Sequence, residues 1–398
     1  MLTCLWKSFG KFAQIQEVGV VSAKLQRRLD SLQEKSFYKA SNKTRVLNSL
    51  LSLHTEAKKH YDLTQLRLAA FPEVQTAVEH LPELATALNA KECLRLIRAL
   101  TNLKITHKPL WKLLETQFAT RFLEDLSESD LVHVVRAFGY RAPSSAPLWK
   151  GLETRILHHF CPQHNMRGQS VAAVITTYSK LGITSPKFLA ALEQQVLRSA
   201  IQMNGTDIAR VLYSYCKQEV GSPELYKVLA NQCKLAKSQM DVHSLVLCLT
   251  SFARTRTGTH NLYEALERQI QQLPMHQITL QNISTLLFAY AQHMPRQMQA
   301  VAGGGKRRGF VEYLEGVFAA NLRTYKYEAV PDFPLTLVNA LWGLSVAQVV
   351  QSPKLWEYLS EFYNRPEIQT DQRFERMRKD ISQCLSLHTS SSSKTPSH

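Results

Sequence analysis

The chain has 398 residues, of which 44% are hydrophobic, so it can bury a sizeable core and is too long for one small domain. With 48 lysines and arginines against 32 acidic residues, the formal net charge is +16, which favours a polyanionic partner such as RNA, DNA or an anionic lipid surface. No run of about 18 apolar residues occurs, so we expect no transmembrane helix. The seven cysteines are irregularly spaced and contain no CxxC pair, which indicates a reducing compartment without a disulfide framework.

The N-terminal segment 1–30 is basic and poor in acids. It carries five lysines and arginines, and its only acid before Asp30 is Glu17. Transit peptides have this composition, so the segment predicts targeting to the mitochondrial matrix, with a chloroplast or another organelle less favoured. The alternative is an ordinary basic N-terminal helix.

Residues 31–90 form irregular helices in this interpretation. The segment TRVLNSLLSLH, Thr44–His54, has the apolar spacing of a helix but matches the downstream pattern poorly. Terminal repeats are often atypical because they cap a stack, so we expect a cap or a degenerate repeat here.

Residues 91–360 repeat one pattern. The segment VVRAFGYRAPSSAPLWKGLE at Val134–Glu153 matches LIRALTNLKITHKPLWKLLE at Leu96–Glu115. A small residue followed by a large one returns at steps of 38, 40, 37, 37, 38 and 51 residues. We number each repeat from its small residue, position 0, which is Ala99, Ala137, Thr177, Ser214, Ser251, Ala289 or Ala340.

Each repeat reads as two helices. The first has apolar residues at helical spacing and follows an N-cap residue such as Ser129 or Thr206. The second opens with proline and a large apolar or aromatic residue, and a glutamate commonly follows. Such a pair buries its apolar faces only by stacking on its neighbours, so we predict an all-α solenoid of about seven helix-turn-helix repeats of ~38 residues.

The longest step has a visible cause, a basic glycine-rich insertion at 294–309, between the two helices of the sixth repeat. After the array we expect a C-terminal capping helix at 361–388 and a disordered serine-rich tail at 389–398.

One face of the first helix differs between repeats. Positions −4, −1 and +3 lie on the same side of a helix, and none of the residues there is acidic. Arginine, lysine, amide and tyrosine side chains are what a reader of single-stranded RNA needs, although the polar outer face of any amphipathic helix has a similar composition. The predicted RNA contacts, including three from the insertion, are Arg95, Arg98, Asn102, His133, Arg136, Tyr140, Lys180, Arg210, Tyr213, Lys217, Arg254, Lys306, Arg307 and Arg308.

Other chemistry is disfavoured by the sequence. AGGGKRRG lacks the GxxxxGK[ST] pattern of a phosphate loop, and HHFCPQH at His158–His164 has no second ligand pair at zinc-finger spacing. No catalytic signature is present. We therefore expect no enzyme activity, no metal, no cofactor and no small-molecule substrate.

The repeats resemble those of the octotricopeptide and heptatricopeptide proteins, and of the FAST-kinase-domain proteins of mitochondria. The resemblance covers about Lys91–Leu359 and rests on the repeat length, the small–large pairs and the proline–aromatic second helix. It implies an organellar RNA-binding solenoid that acts on rRNA or mRNA, including a subunit or assembly factor of the mitochondrial ribosome. Many such proteins end in a RAP domain; one is not expected here, which favours a non-catalytic role. The alternative is a protein–protein scaffold in a large mitochondrial complex.

Overall fold

The computed structural model describes much of the chain, in the ranges 23–33, 38–60, 68–140, 146–161, 166–183, 185–293, 308–324, 332–348, 360–361 and 363–392. These residues form helices and turns, with no β-strand among them. The backbone divides into two compact units, Met1–Met166 with Lys180–Ile183, and Arg167–Ser179 with Thr184–His398.

In the first unit, first and second helices form two layers. The first helices α2, α4 and α6 pack on one another in chain order, and the second helix α3 packs on α5. The bounds are α1 Ala23–Asp30, α2 Lys43–His60, α3 Pro72–Thr86, α4 Ala90–Asn102, α5 Lys108–Gln117, α6 Glu128–Gly139 and α7 Ala146–Arg155.

The second unit has the same organisation. The first helices α10, α12, α14 and α16 pack in order and α18 packs on α16, while the second helices α9, α11, α13 and α15 follow one another. The bounds are α8 Gly168–Leu181, α9 Pro186–Ser199, α10 Gly205–Lys217, α11 Pro223–Ala236, α12 Val242–Thr255, α13 His260–Gln271, α14 Leu280–His293, α15 Arg308–Thr324, α16 Phe333–Ala347, α17 Pro366–Gln369 and α18 Glu375–Ser392. The predicted all-α solenoid class is confirmed.

The first helices begin two residues earlier than we expected from the sequence. The N-caps are Ser127 and Asn204, whose side chains accept from the backbone N–H groups of Asp130 and Asp207. Ser129 and Thr206 were therefore wrong as N-caps and lie in the first turn. In such capped turns the side-chain oxygen replaces a missing helical acceptor.

The small–large pair is the contact between successive first helices. The large residues, from Leu100 to Leu341, are all buried. In the second unit, Ser179 Oγ donates to the carbonyl oxygen of Ser214 at 3.4 Å, and Cys216 Sγ lies 3.7 Å from the carbonyl oxygen of Ser251. Each bond runs from position +2 of one repeat to position 0 of the next, so the small residue leaves the neighbouring backbone accessible.

The second helices carry the predicted proline and buried aromatic residues, and their glutamates have a structural role. The carboxylate of Glu193 accepts from the backbone N–H of Ser222, the N-cap of α11, at 3.1 Å. The buried Glu267 accepts from the hydroxyl of Tyr290 at 2.9 Å. Buried carboxylates are tolerated when they are hydrogen-bonded, so these residues tie neighbouring helices together.

Before the array, where we expected a cap or a degenerate repeat, the structure has a helix pair organised like the later repeats. Helix α2 packs on α4 as a first helix, and α3 supplies the second helix, opening with Pro72. Asn48 of α2 pairs with Arg95 at position −4 of α4, which places Ser52 at position 0 and the buried Leu53 after it. The sequence step from Ser52 to Ala99 is 47 residues, because the connections are longer here.

Some predicted segments lie outside the described residues. These are residues 1–22 of the N-terminal segment, most of the insertion, the second helix expected at Pro353 and Trp356, and residues 393–398 of the tail. Helix α18 continues to Ser392, into the segment that we assigned to the disordered tail.

Replacing Gly343 with alanine tests how closely first helices approach. A Cβ added at Gly343 of α16 would lie 2.5 Å from Leu287 Cβ and 2.8 Å from the Leu287 backbone, so the helices would have to separate. Overpacking costs about 1–3 kcal/mol, and we expect Gly343→Ala to lower the denaturant midpoint.

The matched control is Gly316→Ala in α15, where the added methyl group meets no atom within 4 Å. Replacing an exposed helical glycine with alanine stabilises by about 0.5–1 kcal/mol, so this variant should be at least as stable as the parent chain. Equal stability of the two variants would contradict the close approach of α14 and α16.

Candidate nucleic-acid interface

Position +3 of the first helices is exposed in the first six repeats and buried in the seventh, at Gly343, while position −1 is exposed or half-buried in all seven. Because position +1 is buried in every repeat and position 0 is buried or half-buried, the helical turn of about 100° per residue directs positions −1 and +3 away from this contact in most repeats. The exposed members of the predicted set are Arg98, Asn102, Arg136, Tyr140, Lys180, Arg210, Tyr213, Lys217 and Arg254, of which Arg210 is at position −4.

The exposure of the side chain at position −4 varies more between repeats than we expected from the sequence. Arg95 is half-buried and donates to Asn48, and His133 is half-buried. Ala173 and Thr336 are buried at the same position, so it belongs to the surface in some repeats and to the packing in others.

In the first unit, the charges of two predicted arginines act on His133. Burial lowers the pKa of His133 below its ordinary value, the positive charges of Arg98 and Arg136 lower it further, and Asp130 opposes them. The buried Nε2 atom of His133 has no hydrogen-bond partner among the described residues. The two arginines therefore lie close enough for their charges to act at one point between α4 and α6.

Tyr140 and Lys180 form a second contact in this unit. Tyr140 follows α6 and is 70% exposed, and the Lys180 Nζ lies 5.3 Å from the centre of its ring. A cation over an aromatic face is attracted by the ring quadrupole. The pair thus presents an aromatic surface and a positive charge together.

In the second unit, Arg210, Tyr213 and Lys217 share the exposed side of α10, and Tyr213 is 43% exposed. Arg254 on α12 behaves differently, because its guanidinium donates to the Glu219 carboxylate at 2.9 Å. Both side chains also line a cavity of about 490 Å³ beside Tyr226 and His293. Glu219 was missed in the sequence because it lies outside the repeat positions.

Four arginines and lysines of the set are the best placed to meet phosphate. In the described part of the chain, no ion pair engages Arg98, Arg136, Arg210 or Lys217. Exposed cations of this kind release counterions when they neutralise phosphates, which drives nucleic-acid binding.

The insertion cannot be placed against this surface. Lys306 and Arg307 lie outside the described residues, and Arg308 is described only as the first backbone position of α15. Their predicted role in RNA binding stays a prediction.

Among the described residues, no group of three or more His, Cys, Asp and Glu side chains is close enough to hold a metal ion. None of the described helices is both long and apolar enough to cross a bilayer.

Stacked helix pairs whose packing positions repeat and whose basic exposed positions vary define a helical-repeat protein with a polar surface on the first helices of each unit. The family model for the RNA-editing substrate-binding complex 6 protein matches residues 2–298, which is most of the chain, and the chain belongs to this family. No curated protein matches it. The chain is thus an RNA-editing-related helical-repeat protein.

The environment of His133 predicts a pH-dependent stability. Because its folded pKa lies below the ordinary 6.5, the unfolded state binds more protons below that pH, and the free energy of unfolding falls as the pH falls. Burial lowers the pKa of His54 and His293 too, so part of the effect is shared. Melting temperatures at about pH 7.5 and 5.5 should differ less in His133→Gln than in the parent chain.

The control is His158→Gln, an exposed position on the turn after α7. It should keep the full difference between the two pH values. An unchanged difference in His133→Gln would contradict the placement of His133 between Arg98 and Arg136.

Proposed function

We propose that this protein is a non-catalytic RNA-binding subunit of an RNA-editing substrate-binding complex. It holds single-stranded RNA along the exposed side of its first helices. The observation that carries the proposal is the cluster in the first unit, where Arg98, Arg136 and the Tyr140–Lys180 pair stand on successive first helices without an acidic partner among the described residues.

The chemistry of this cluster suits a single strand. The Tyr140 ring offers a stacking surface for a base, and every base has such a face, so stacking tolerates sequence differences. Lys180 stands over the same ring, where its charge meets the phosphate of a stacked nucleotide. Arg98 and Arg136 supply two further cations for the neighbouring phosphates, with geometry suited to bidentate contacts.

Helix α10 repeats the same combination in the second unit. Arg210 and Lys217 flank Tyr213 on the exposed side of the helix, at spacings of three and four residues. Arg254 is held by Glu219, so it contributes only if phosphate replaces that carboxylate. Arg254 is therefore a weaker candidate for a phosphate contact than the other cations.

The family supports an assembly that handles RNA-editing substrates, and we propose this in place of the mitochondrial ribosome. The resemblance to octotricopeptide proteins remains part of the proposal and rests on the repeat length, the small–large pairs and the proline–aromatic second helix. The basic, acid-poor N-terminus supports residence in the mitochondrial matrix, and the absence of catalytic motifs from the sequence supports a binding role.

A second function, a protein scaffold, has its own observation. Ile201, Leu235 and Met275 are large apolar side chains exposed at or near the turns that follow second helices in the second unit. Such residues anchor protein partners more often than RNA. Partners that remain bound after nuclease treatment, with RNA absent from the native purified complex, would favour this function.

The salt dependence of binding tests the charges of the cluster. We expect the affinity for a twelve-nucleotide oligouridine to fall steeply with salt. Replacing Arg98, Arg136 and Lys180 with glutamine should reduce the slope of log K against log salt by about 2, since each phosphate contact on a single strand contributes about 0.7. Fluorescence anisotropy at several salt concentrations measures the slope.

The control replaces three cations on second helices, Lys187, Arg198 and Lys234, with glutamine. It removes the same charge elsewhere on the molecule and should leave the slope nearly unchanged. Equal slopes in the two triple variants would show that only net charge matters and would contradict the assignment of the face.

A separate prediction concerns stacking on Tyr140. Tyr140→Ala should weaken oligouridine binding by about 1–3 kcal/mol, the typical value for one base stacked on an aromatic side chain, while Tyr140→Phe should bind like the parent chain. Because Tyr140 is exposed, neither variant should change the melting temperature appreciably. Equal binding by the alanine and phenylalanine variants would argue against stacking.

A further inference from the structure

The N-terminal end of the first unit contains a polar cavity outside the predicted face. Its volume is about 510 Å³, and it lies between α1 and the first half of α2. Its lining consists of two arginines, four hydroxyl side chains and two amides, namely Arg28, Arg45, Ser41, Thr44, Ser49, Ser52, Asn42 and Asn48.

The charged side chains that line this cavity are all positive. Both charged lining residues are arginines, and no lining residue is acidic. The nearest carboxylate described on the packed helix α4, Glu92, is occupied by Lys43 at 3.0 Å. A cavity with this lining attracts an anion and supplies hydrogen bonds to its oxygens.

The arginine on α1 is positioned by a hydrogen bond. The Arg28 guanidinium donates to Ser52 Oγ, and Ser52 Oγ donates to the carbonyl oxygen of Ser49 at 3.0 Å. Arg28 is half-buried, so its head group is held at the wall of the cavity instead of extending into solvent. A guanidinium presents five N–H donors, and one bond to Ser52 leaves others for a ligand.

The cavity is continuous with the predicted RNA face. Asn48 lines it and accepts from Arg95, which is at position −4 of α4. Ser52 also lines it and is at position 0 of the α2–α3 pair. The cavity is therefore one first helix away from Arg98, and a strand lying along the first helices reaches it.

We propose that this cavity binds a phosphate group of the RNA strand, with Arg28 and Arg45 on the phosphate oxygens and the hydroxyl and amide side chains on the attached ribose. The inference rests on the proposed function and names a further site for the same ligand. Every lining residue carries a polar side chain, and the four hydroxyl groups match a sugar phosphate. The phosphate is either the 5′-terminal group or an internal one, and both have the same chemistry.

The test compares oligouridine binding by the parent chain and by Arg28→Gln/Arg45→Gln. The double variant should lose about tenfold in affinity, and its salt slope should fall by about 1.4, corresponding to two contacts. The Lys187→Gln/Arg198→Gln double variant is the control and should bind like the parent chain. A 5′-phosphorylated and a 5′-hydroxyl oligonucleotide identify the phosphate: a preference for the former that disappears in Arg28→Gln/Arg45→Gln assigns the terminal group, and equal losses assign an internal one.

A second pair of variants keeps the test valid if loss of Arg28 disturbs folding. Ser49→Asp places a negative charge in the cavity without removing an arginine and should weaken binding, whereas Ser49→Ala should bind nearly as the parent chain does. Full affinity in both Ser49→Asp and the arginine double variant, with weaker binding by Tyr140→Ala, would contradict phosphate binding in the cavity. The proposed function would then remain intact.

The experiment also recognises the opposite case, in which the cavity binds phosphate but the protein does not bind RNA. If the parent chain binds no oligouridine but millimolar inorganic pyrophosphate raises its melting temperature, and Arg28→Gln/Arg45→Gln loses this increase, the cavity binds phosphate and the RNA-binding proposal fails. If Arg28→Gln/Arg45→Gln changes neither oligouridine binding nor the effect of pyrophosphate on the melting temperature, the cavity binds no ligand of this class.

Discussion

The close contact between successive first helices is the constraint on which the rest of the structure depends. At position 0 a small side chain lets the neighbouring helix approach, and at position +1 a large one fills the layer between them. The bonds from Ser179 to Ser214 and from Cys216 to Ser251 show that side chains of one repeat reach the backbone of the next at this point. A helix pair has too little apolar surface to be stable alone, so this contact must recur in every repeat and cannot vary. The residues that differ between repeats lie mostly at positions outside this contact, on the surface of the first helices.

The separation of packing positions from exposed positions explains how repeats with the same fold can present different side chains to a ligand. Within each unit the packing positions hold successive first helices against one another, so their exposed residues lie side by side. In the first unit these residues include Arg98, Arg136 and the Tyr140–Lys180 pair, and around α10 they include Arg210, Tyr213 and Lys217. Such an arrangement suits a polymer with a regular backbone, because each phosphate then meets a similar environment while each base meets a different side chain. The family to which the chain belongs is one of RNA editing, which agrees with this interpretation.

The sequence predicts the repeat and its phase well, because small–large pairs, prolines and helical spacing are local signals. It also predicts that Arg98 and Arg136 are exposed, since that follows from the phase alone. It fails where a residue's role depends on partners distant in sequence. The carboxylate of Glu219 engages Arg254 across 35 residues, and nothing local marks that pair. For residues 31–90 the sequence leaves a cap and a degenerate repeat open for a related reason: the step of 47 residues obscures the register, which the pairing of Asn48 with Arg95 reveals. The N-caps were misplaced by two residues because several serine, asparagine and aspartate side chains compete near each helix start, and only geometry selects one.

The most direct test of the account is a map of where RNA touches the protein. Oligouridine containing 4-thiouridine would be photocrosslinked to the full chain, and the crosslinked peptides identified by mass spectrometry. The account predicts crosslinks on first helices, concentrated on peptides that contain Tyr140, Lys180 or Tyr213, and few on the second helices α9, α11 and α13. Crosslinks concentrated on those second helices, with the first helices unlabelled, would contradict the central claim that the variable side of the first helices binds RNA.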